Sequence, residues 1–338
     1  RDVGQCALGR AQYTCWCDER GFVLQDGLVM QANPGEYLLT AAEPTLRYFR
    51  KVAKEKGLTE VRIEDISSEF GILSLQGPEA FNVITQLSEN AGSLSYFGVM
   101  KTEIAGREVT VSRTGYTGDL GFEIWVNSGD SILVWDAIIS AGKDYNITPI
   151  GTTALKMVRV EAGLLLMGTD FHTSRFAWVD AQRETPIELG WEWMLRDLEQ
   201  DDRNFIGRSA LEKELETQAR KTVGIKVDWN EYEFAYTEAG VLPPHHEVYS
   251  ESTMSIYRRG EKEWDYAGYA SSFLFSSLLK KPIAIAKLPI DLVGLGSEVD
   301  LEIPVIRQPR HVLARVDRMP FFDPSRKKAL MGEVHGDE

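Results

Sequence analysis

The chain has 338 residues, 43% of them hydrophobic and 26% charged, which is ordinary for a globular protein of two or three domains. Its net charge of −14 disfavours nonspecific nucleic-acid binding, which needs a basic surface, so we expect no nucleic-acid partner. No apolar run approaches the roughly 20 residues of a membrane span, and we expect no membrane insertion.

The predicted elements alternate between strands and helices over the first 216 residues. In chain order, the pattern predicts strands at 12–16, 22–30 and 37–41, a helix at 44–56, a strand at 70–75, a helix at 77–89, a hairpin at 101–113 that turns at Ala105 and Gly106, a strand at 121–126, and helices at 130–141, 151–163 and 205–216. The helix at 130–141 has Ile132, Trp135 and Ile139 on one face. Thr152 is the candidate N-cap of the next helix.

The C-terminal part changes character. Residues 222–318 contain the short strands TVGIKV, IAIAKL, EVDLEI and HVLARV, which predict an all-β domain. Because the alternation upstream lacks a Gly-rich phosphate loop, it favours an α+β fold over a doubly wound parallel sheet. We therefore divide the chain into an α+β region at 1–216 and an all-β domain at 217–338.

Cysteine usage bears on compartment and metal binding. The three cysteines, Cys6, Cys15 and Cys17, give no disulfide framework and favour a reducing, cytoplasmic environment. Cys15 and Cys17 would share a face of a strand, but no fourth thiol exists and the histidines lack ligand spacing, so we predict no metal site. The sequence begins at Arg1 without a charged-then-apolar leader, and we expect no targeting signal.

Three motifs, in a fixed order, carry a family resemblance: ERGFVLQDGLV at 19–29, SRTGYTGDLGFEI at 112–124 and VRVEAG at 158–163. Together they resemble the glycine cleavage T-protein family of folate-binding aminomethyl and methyl transferases. The resemblance extends over nearly the whole chain, through TPIELGWEW at 185–193, RNFIGRSAL at 203–211 and RMPFFDP at 318–324.

The resemblance implies a cloverleaf fold, with two interleaved α+β domains and a C-terminal β-barrel or jelly-roll domain around a folate channel. Family members carry several dozen residues before the position that corresponds to Arg1, so we expect the first domain to lack its N-terminal part. Two other departures are a longer segment at 170–184 and the stretch YASSFLFSS at 269–277, where the family has a turn rich in Gly, Thr, Ser and Pro.

Two carboxylates are the central candidates. Glu161 matches the family glutamate that accepts two adjacent N–H groups from the pterin ring of folate, a strong and directional pairing for a carboxylate. The alternative is a helix-terminal Glu paired with Arg159 or a lysine. Asp26 stands alone in an apolar strand and matches the second of two family acids, while Gln25 replaces the first. The resemblance assigns Asp26 the catalytic role of orienting the cofactor amine and stabilising cationic states; the alternative is an exposed edge-strand residue.

Aromatic and further acidic residues complete the predicted cofactor site. Tyr13 matches a pocket tyrosine of the family, although a core tyrosine explains it equally well. Tyr116 projects from a glycine-rich turn that permits close backbone approach to a flat ring. Glu123 is a second acidic ligand candidate, and Arg113 is expected to brace the loop.

The ELGW stretch and its surroundings supply the last candidates. Trp191 and Trp193 are candidate pocket walls, with core packing as the alternative. Arg196 is a weak candidate for the folate tail carboxylates.

The function implied by the resemblance is transfer of a one-carbon unit to tetrahydrofolate. In the aminomethyltransferase reaction, a lipoyl arm of the carrier H-protein brings the aminomethyl group, which makes that carrier a further expected partner. One alternative is a tetrahydrofolate-dependent demethylase acting on a sulfonium or aryl-ether methyl donor, which the segment at 170–184 favours. Another is a folate-binding module without turnover.

Overall fold

The computed structural model describes residues 1–43, 45–195, 198, 203–245, 249–260 and 264–329. The chain divides into two compact units that interleave in sequence. The first unit combines residues 1–15 and 25–149 with the segment from Pro324 onwards, and the second combines 16–24 with 150–323.

Two sheets organise the first unit. One has the strand order β1-β2-β3 and the other the order β4-β7-β6-β5. The elements up to residue 149 are β1 (Arg10–Cys17), β2 (Val23–Asn33), β3 (Glu36–Ala41), α1 (Leu46–Glu55), β4 (Phe70–Gln76), α2 (Ala80–Leu87), α3 (Glu89–Gly92), β5 (Val99–Ile104), β6 (Arg107–Ser112), β7 (Gly121–Asn127) and α4 (Ser131–Ala141). The predicted hairpin is confirmed, since its two turn residues both have positive φ, as a two-residue hairpin turn requires.

Strand β7 shows how the two faces of the four-stranded sheet are used. Phe122, Ile124 and Val126 point to one face, where they are fully buried in the cluster that includes residues of α2 and α4. Trp125 points to the other face and packs in a cluster with Ala11 of β1 and Met30 of β2. A residue two positions before Trp125 therefore lies on the side of β7 that faces the three-stranded sheet.

Helix α4 buries a different face from the one that the spacing suggested. Val134 and Ile138 are buried, whereas Ile132 is 78% exposed and Trp135 is 40% exposed. The segment SILVWDAIISA is apolar nearly all round, so periodicity alone does not choose the buried side. The buried side is determined by the sheet, because α4 packs against β4 and β7.

The second unit contains a closed six-stranded barrel. Its strands follow the order β10-β13-β14-β8-β12-β11, β11 pairs back to β10, and β9 adds to β11. The elements are α5 (Thr152–Glu161), α6 (Arg208–Thr217), β8 (Arg220–Val227), α7 (Trp229–Glu238), β9 (Tyr249–Ser250), β10 (Met254–Arg258), β11 (Tyr266–Ser276), β12 (Lys281–Pro289), β13 (Glu298–Val305) and β14 (Gln308–Asp317). Its core consists of fully buried side chains from several strands, such as Ile225 of β8, Ala284 of β12 and Val299 of β13.

The predicted fold class is confirmed in its mixed helix and strand content and in its C-terminal barrel. Helix α7 was missed, although Asp228 accepts hydrogen bonds from the amides of Asn230 and Glu231 in an N-cap arrangement. Thr152 is not the N-cap of α5: it is the first helical residue, and Gly151 holds the cap position. Within the described residues, every helix is too short or too polar to cross a membrane.

Candidate functional site

Asp26 and Tyr13 form a half-buried pair on adjacent strands of the three-stranded sheet. The Tyr13 hydroxyl donates to Asp26 Oδ2 at 2.5 Å. Burial raises the pKa of Asp26, and the hydrogen bond from Tyr13 partly offsets that rise. Burial and the neighbouring Asp26 raise the pKa of Tyr13 well above its ordinary value, with smaller contributions from Cys15 and Tyr116. Tyr13, Asp26 and Tyr116 are therefore brought together.

Gln25 lies on the opposite side of β2 from Asp26 and braces the strand. It is 2% exposed. With its amide oxygen turned towards the main chain, it accepts hydrogen bonds from the amides of Ala42 at 2.8 Å and Glu43 at 2.6 Å. An amide oxygen satisfies both donors without a buried charge, so this position needs an acceptor and not an acid.

The glycine-rich turn at 115–121 closes around a side chain of the protein. The Gln76 amide donates to the carbonyls of Thr114 and Phe122 and accepts from the Thr117 hydroxyl. A Cβ atom at Gly115 or Gly121 would overlap this amide. The close backbone approach expected from these glycines is therefore an approach to Gln76.

Glu123 is a second half-buried carboxylate of the first unit. It lies on the same side of β7 as Trp125, the side that faces the three-stranded sheet. The Thr114 hydroxyl donates to Glu123 Oε2, and Ser112 and Thr114 share a 2.7 Å hydrogen bond. Burial raises the pKa of Glu123, while the bond from Thr114 lowers it. No Lys, Arg or His of the described residues forms an ion pair with Glu123 or Asp26.

Arg113 braces the loop, as predicted. Its guanidinium donates to the carbonyl oxygen of Leu94 at 2.9 Å and to that of Ala329 at 2.7 Å. Nearby, Arg326 makes a two-pronged ion pair with Asp119. These contacts hold the C-terminal segment against the motif at 112–124 within the first unit.

Glu161, in the second unit, ends helix α5. Its Oε1 atom accepts a 2.6 Å hydrogen bond from the Ser276 hydroxyl. Burial raises the pKa of Glu161, and hydrogen bonds from Ser276 and from the Leu278 backbone lower it. The alternative pairing with Arg159 is wrong, because that guanidinium donates to Asp170 instead.

A buried network that the sequence did not reveal surrounds Arg159 and Asp170, both fully buried. Arg159 donates to Asp170, to Ser272 Oγ at 2.8 Å and to the Tyr249 hydroxyl at 3.0 Å. Asp170 also accepts from both Ser271 and Ser272. The serines belong to the YASSFLFSS stretch, so the hydroxyls of this departure from the family pattern satisfy buried charges.

The segment at 170–184 is held at both ends. Asp170 pairs with Arg159 at its start, and Glu184 pairs with the buried Lys287 at its end. Between these ends, Trp178 is 92% exposed. The signal in the sequence for both ion pairs is the cation of each, since Arg159 and Lys287 stand inside otherwise apolar stretches.

The remaining candidates differ in their surroundings. Trp191 is buried and packs edge-to-face against Phe171, with the ring centroids 5.4 Å apart, whereas Trp193 is 38% exposed. Arg196 lies outside the described residues. In the described part of the chain, no group of three or more His, Cys, Asp or Glu side chains is arranged to hold a metal ion.

The predicted site residues fall into two groups. Tyr13, Asp26, Tyr116 and Glu123 belong to the first unit, and Glu161 and Trp191 to the second. That Asp26 and Glu161 contact the same ligand stays a prediction.

Comparisons with known proteins agree on one family. The family model of the GCVT N-terminal domain matches residues 1–196. The aminomethyltransferase of Thermoanaerobacter pseudethanolicus is 32% identical over 306 residues, which are 89% of this chain and 74% of that protein. The aminomethyltransferase of Bacillus subtilis is 29% identical over 324 residues, 95% of this chain and 80% of that protein.

The fold also has a solved counterpart. The glycine cleavage system aminomethyltransferase T from Bartonella henselae superimposes with a TM-score of 0.73. The match covers 96% of this chain and 79% of that protein at 20% sequence identity. At this identity the likeness concerns the fold.

Proposed function

Because the chain belongs to the glycine cleavage T-protein family, we propose that it is an aminomethyltransferase that uses tetrahydrofolate as the acceptor of a one-carbon unit. The bound folate supplies the nitrogen atoms that accept this unit. The chain supplies orientation and charge stabilisation, which accounts for the absence of a nucleophile–histidine pair in the motifs.

The observation that carries the proposal is the state of Asp26. Its carboxylate is half-buried, and its hydrogen bond comes from a tyrosine and not from a cation. Burying a carboxylate without a cation is costly in a structural position. The same carboxylate is well suited to hold an amine and to stabilise positive charge that develops during the reaction.

The other candidates fit the flat, hydrogen-bonding part of a folate. Glu161 is half-buried and carries a neutral donor, Ser276, so its charge is not cancelled by a cation. A carboxylate in this state accepts N–H groups from a pterin edge. Tyr116 is half-buried beside Tyr13 and offers a ring face or edge for stacking. Trp191 and Glu123 remain proposed cofactor contacts.

Several finer statements belong to this proposal. We propose that 1–216 carries the folate-binding residues and 217–338 forms the C-terminal domain. An H-protein with a lipoyl arm is the proposed donor partner, as the family's reaction implies. A cytoplasmic location is supported by three cysteines that are all free thiols.

The test is a donor panel combined with carboxylate variants. Aminomethylated carrier, dimethylsulfoniopropionate and methoxylated aromatics are each supplied with tetrahydrofolate, and ammonia, methylene-tetrahydrofolate and methyl-tetrahydrofolate are measured. We expect ammonia and methylene-tetrahydrofolate from the carrier alone, with Asp26→Asn slower by about 100-fold or more. Asp180→Asn, at an exposed carboxylate, is the matched control.

Each other outcome identifies a different function. Turnover of a methyl donor in place of the carrier would assign the demethylase reaction. Binding of tetrahydrofolate without turnover of any donor would leave a folate-binding module. Failure of the wild-type protein to bind tetrahydrofolate would refute the proposal.

A further inference from the structure

We propose that Ser276 is a positioning residue for Glu161, because its hydroxyl holds the carboxylate in the orientation that a pterin edge requires. This inference rests on the function proposed above and adds a residue to it. Ser276 lies 115 positions away in sequence and outside the three motifs that carry the family resemblance.

The direction of the Ser276 hydroxyl is determined by its second hydrogen bond. The backbone amide of Leu279 donates to Ser276 Oγ at 3.0 Å. A hydroxyl has a single proton, and because its oxygen already accepts from Leu279, that proton is available to Glu161 Oε1 at 2.6 Å. Ser276 is fully buried, so its hydroxyl does not exchange this hydrogen bond for one to bulk water. The hydroxyl thus acts on Glu161 as a donor of defined direction.

The last turn of α5, which carries Glu161, is also attached to β11, the strand that carries Ser276. Arg159, two positions earlier on α5, donates to Ser272 Oγ at 2.8 Å, and Ser272 lies four positions before Ser276 on β11. Asp170 joins the two elements by pairing with Arg159 and accepting from Ser272. The last turn of α5 and the end of β11 are therefore fixed relative to each other, and the hydrogen bond from Ser276 to Glu161 follows from that alignment.

Charged groups on the elements packed against α5 do not form ion pairs with Glu161 among the described residues, and Lys287 of β12 pairs with Glu184. Lys156 of α5 pairs with Glu251 at 2.8 Å, and the Tyr249 hydroxyl donates to Glu251 at 2.8 Å. Arg159 is taken by Asp170. Lys281 of β12, whose Cα partner is Ser276, is exposed and forms no ion pair with Glu161 among the described residues. The hydrogen bonds from Ser276 and from the Leu278 backbone are consequently what favours ionised Glu161 against the effect of burial.

The direction in which removal of the Ser276 hydroxyl changes the pKa of Glu161 can be predicted. Burial raises the pKa of Glu161 and Ser276 lowers it, so Ser276→Ala raises that pKa further. Protonated Glu161 then persists to higher pH, and it has lost one of its acceptor sites. As the pH is lowered, we therefore expect the variant to lose affinity for a pterin at a higher pH than the wild type does.

The experiment measures binding against pH for two probes. Tetrahydrofolate carries the pterin, whereas p-aminobenzoylglutamate carries only the tail, and both are titrated between about pH 5 and pH 8. Ser271→Ala is the matched control, since Ser271 is equally buried on the same strand and bonds to Asp170, which retains Ser272. For Ser276→Ala we expect tetrahydrofolate affinity to fall about tenfold near neutral pH, an upward shift of the acid midpoint and no change for the tail probe.

The outcomes separate this inference from the proposed function. If the wild type does not bind tetrahydrofolate, the function and the inference both fail. If Glu161→Gln abolishes the pterin-dependent affinity while Ser276→Ala and Ser271→Ala share the wild-type midpoint, only the inference is overturned. Should Ser276→Ala not fold, Ser276→Cys keeps a side chain with a weaker donor in place of the hydroxyl and is expected to shift the midpoint in the same direction.

Discussion

Substitution of Asp170 by Asn is expected to destabilise the second unit strongly. One oxygen of Asp170 accepts from Arg159 and from the Leu166 amide, and an Asn can keep an oxygen in that place but carries no negative charge. The Arg159 guanidinium would stay fully buried and would lose the negative charge of Asp170. Removing one partner of a buried ion pair costs about 3–5 kcal/mol, against a typical total unfolding free energy of about 5–15 kcal/mol.

The measurement is urea denaturation together with thermal melting. For a unit of this size, 1 kcal/mol corresponds to about 2–4 °C, so the melting temperature should fall by about 6–20 °C. The control is Arg20→Ala, which removes an exposed ion pair with Asp180 and should cost no more than about 1 kcal/mol. Equal losses in Asp170→Asn and Arg20→Ala would refute the reasoning. Replacing Arg159 and Asp170 together by apolar residues should recover much of the loss, because no unpaired charge remains.

Three further predictions concern the first unit. Tyr13→Phe removes a hydrogen bond that lowers the pKa of Asp26, so the acid limb of the pH–rate profile should move to higher pH; a limb that stays in place would contradict the assigned contact. Glu123→Gln removes a half-buried charge that burial disfavours and should raise the unfolding free energy by about 1 kcal/mol in urea titrations, while a decrease would mean that the charge is compensated. Gly115→Ala would push a methyl group into the amide that fills the glycine-rich turn and should cost about 1–3 kcal/mol, whereas Gly260→Ala, which has nothing within 4 Å, should leave stability unchanged.

Much of the secondary structure could be predicted because local patterns decide it. The hairpin at 101–113 and the helix that ends at Glu161 follow from turn residues and apolar spacing. The buried side of α4 did not follow, because a segment that is apolar all round leaves the choice to the sheet beneath it. Helix α7 was missed because aromatic residues lower its helical signal, and packing of Tyr232 into the barrel cluster stabilises it.

The candidate site was predictable only in part. Asp26 and Glu161 stand out as charges in apolar surroundings, and the motifs give them roles. Their hydrogen-bond partners are less predictable. Tyr13 is near Asp26 in sequence, but Ser276 is 115 positions from Glu161. Contacts at such separations depend on the closure of the barrel and leave no periodic trace in the sequence.

The two buried ion pairs at the ends of the segment 170–184 have an evolutionary consequence. The ion pairs of Asp170 and Glu184 attach this segment to the rest of the second unit, while the stretch around Trp178 is exposed to solvent. Phe171, Thr173 and Ser174 are buried, but residues 175–182 are exposed or half-buried, and these can therefore be exchanged, inserted or deleted with little loss of core stability. Relatives of this chain can therefore vary the surface that this exposed stretch forms while they keep the same fold.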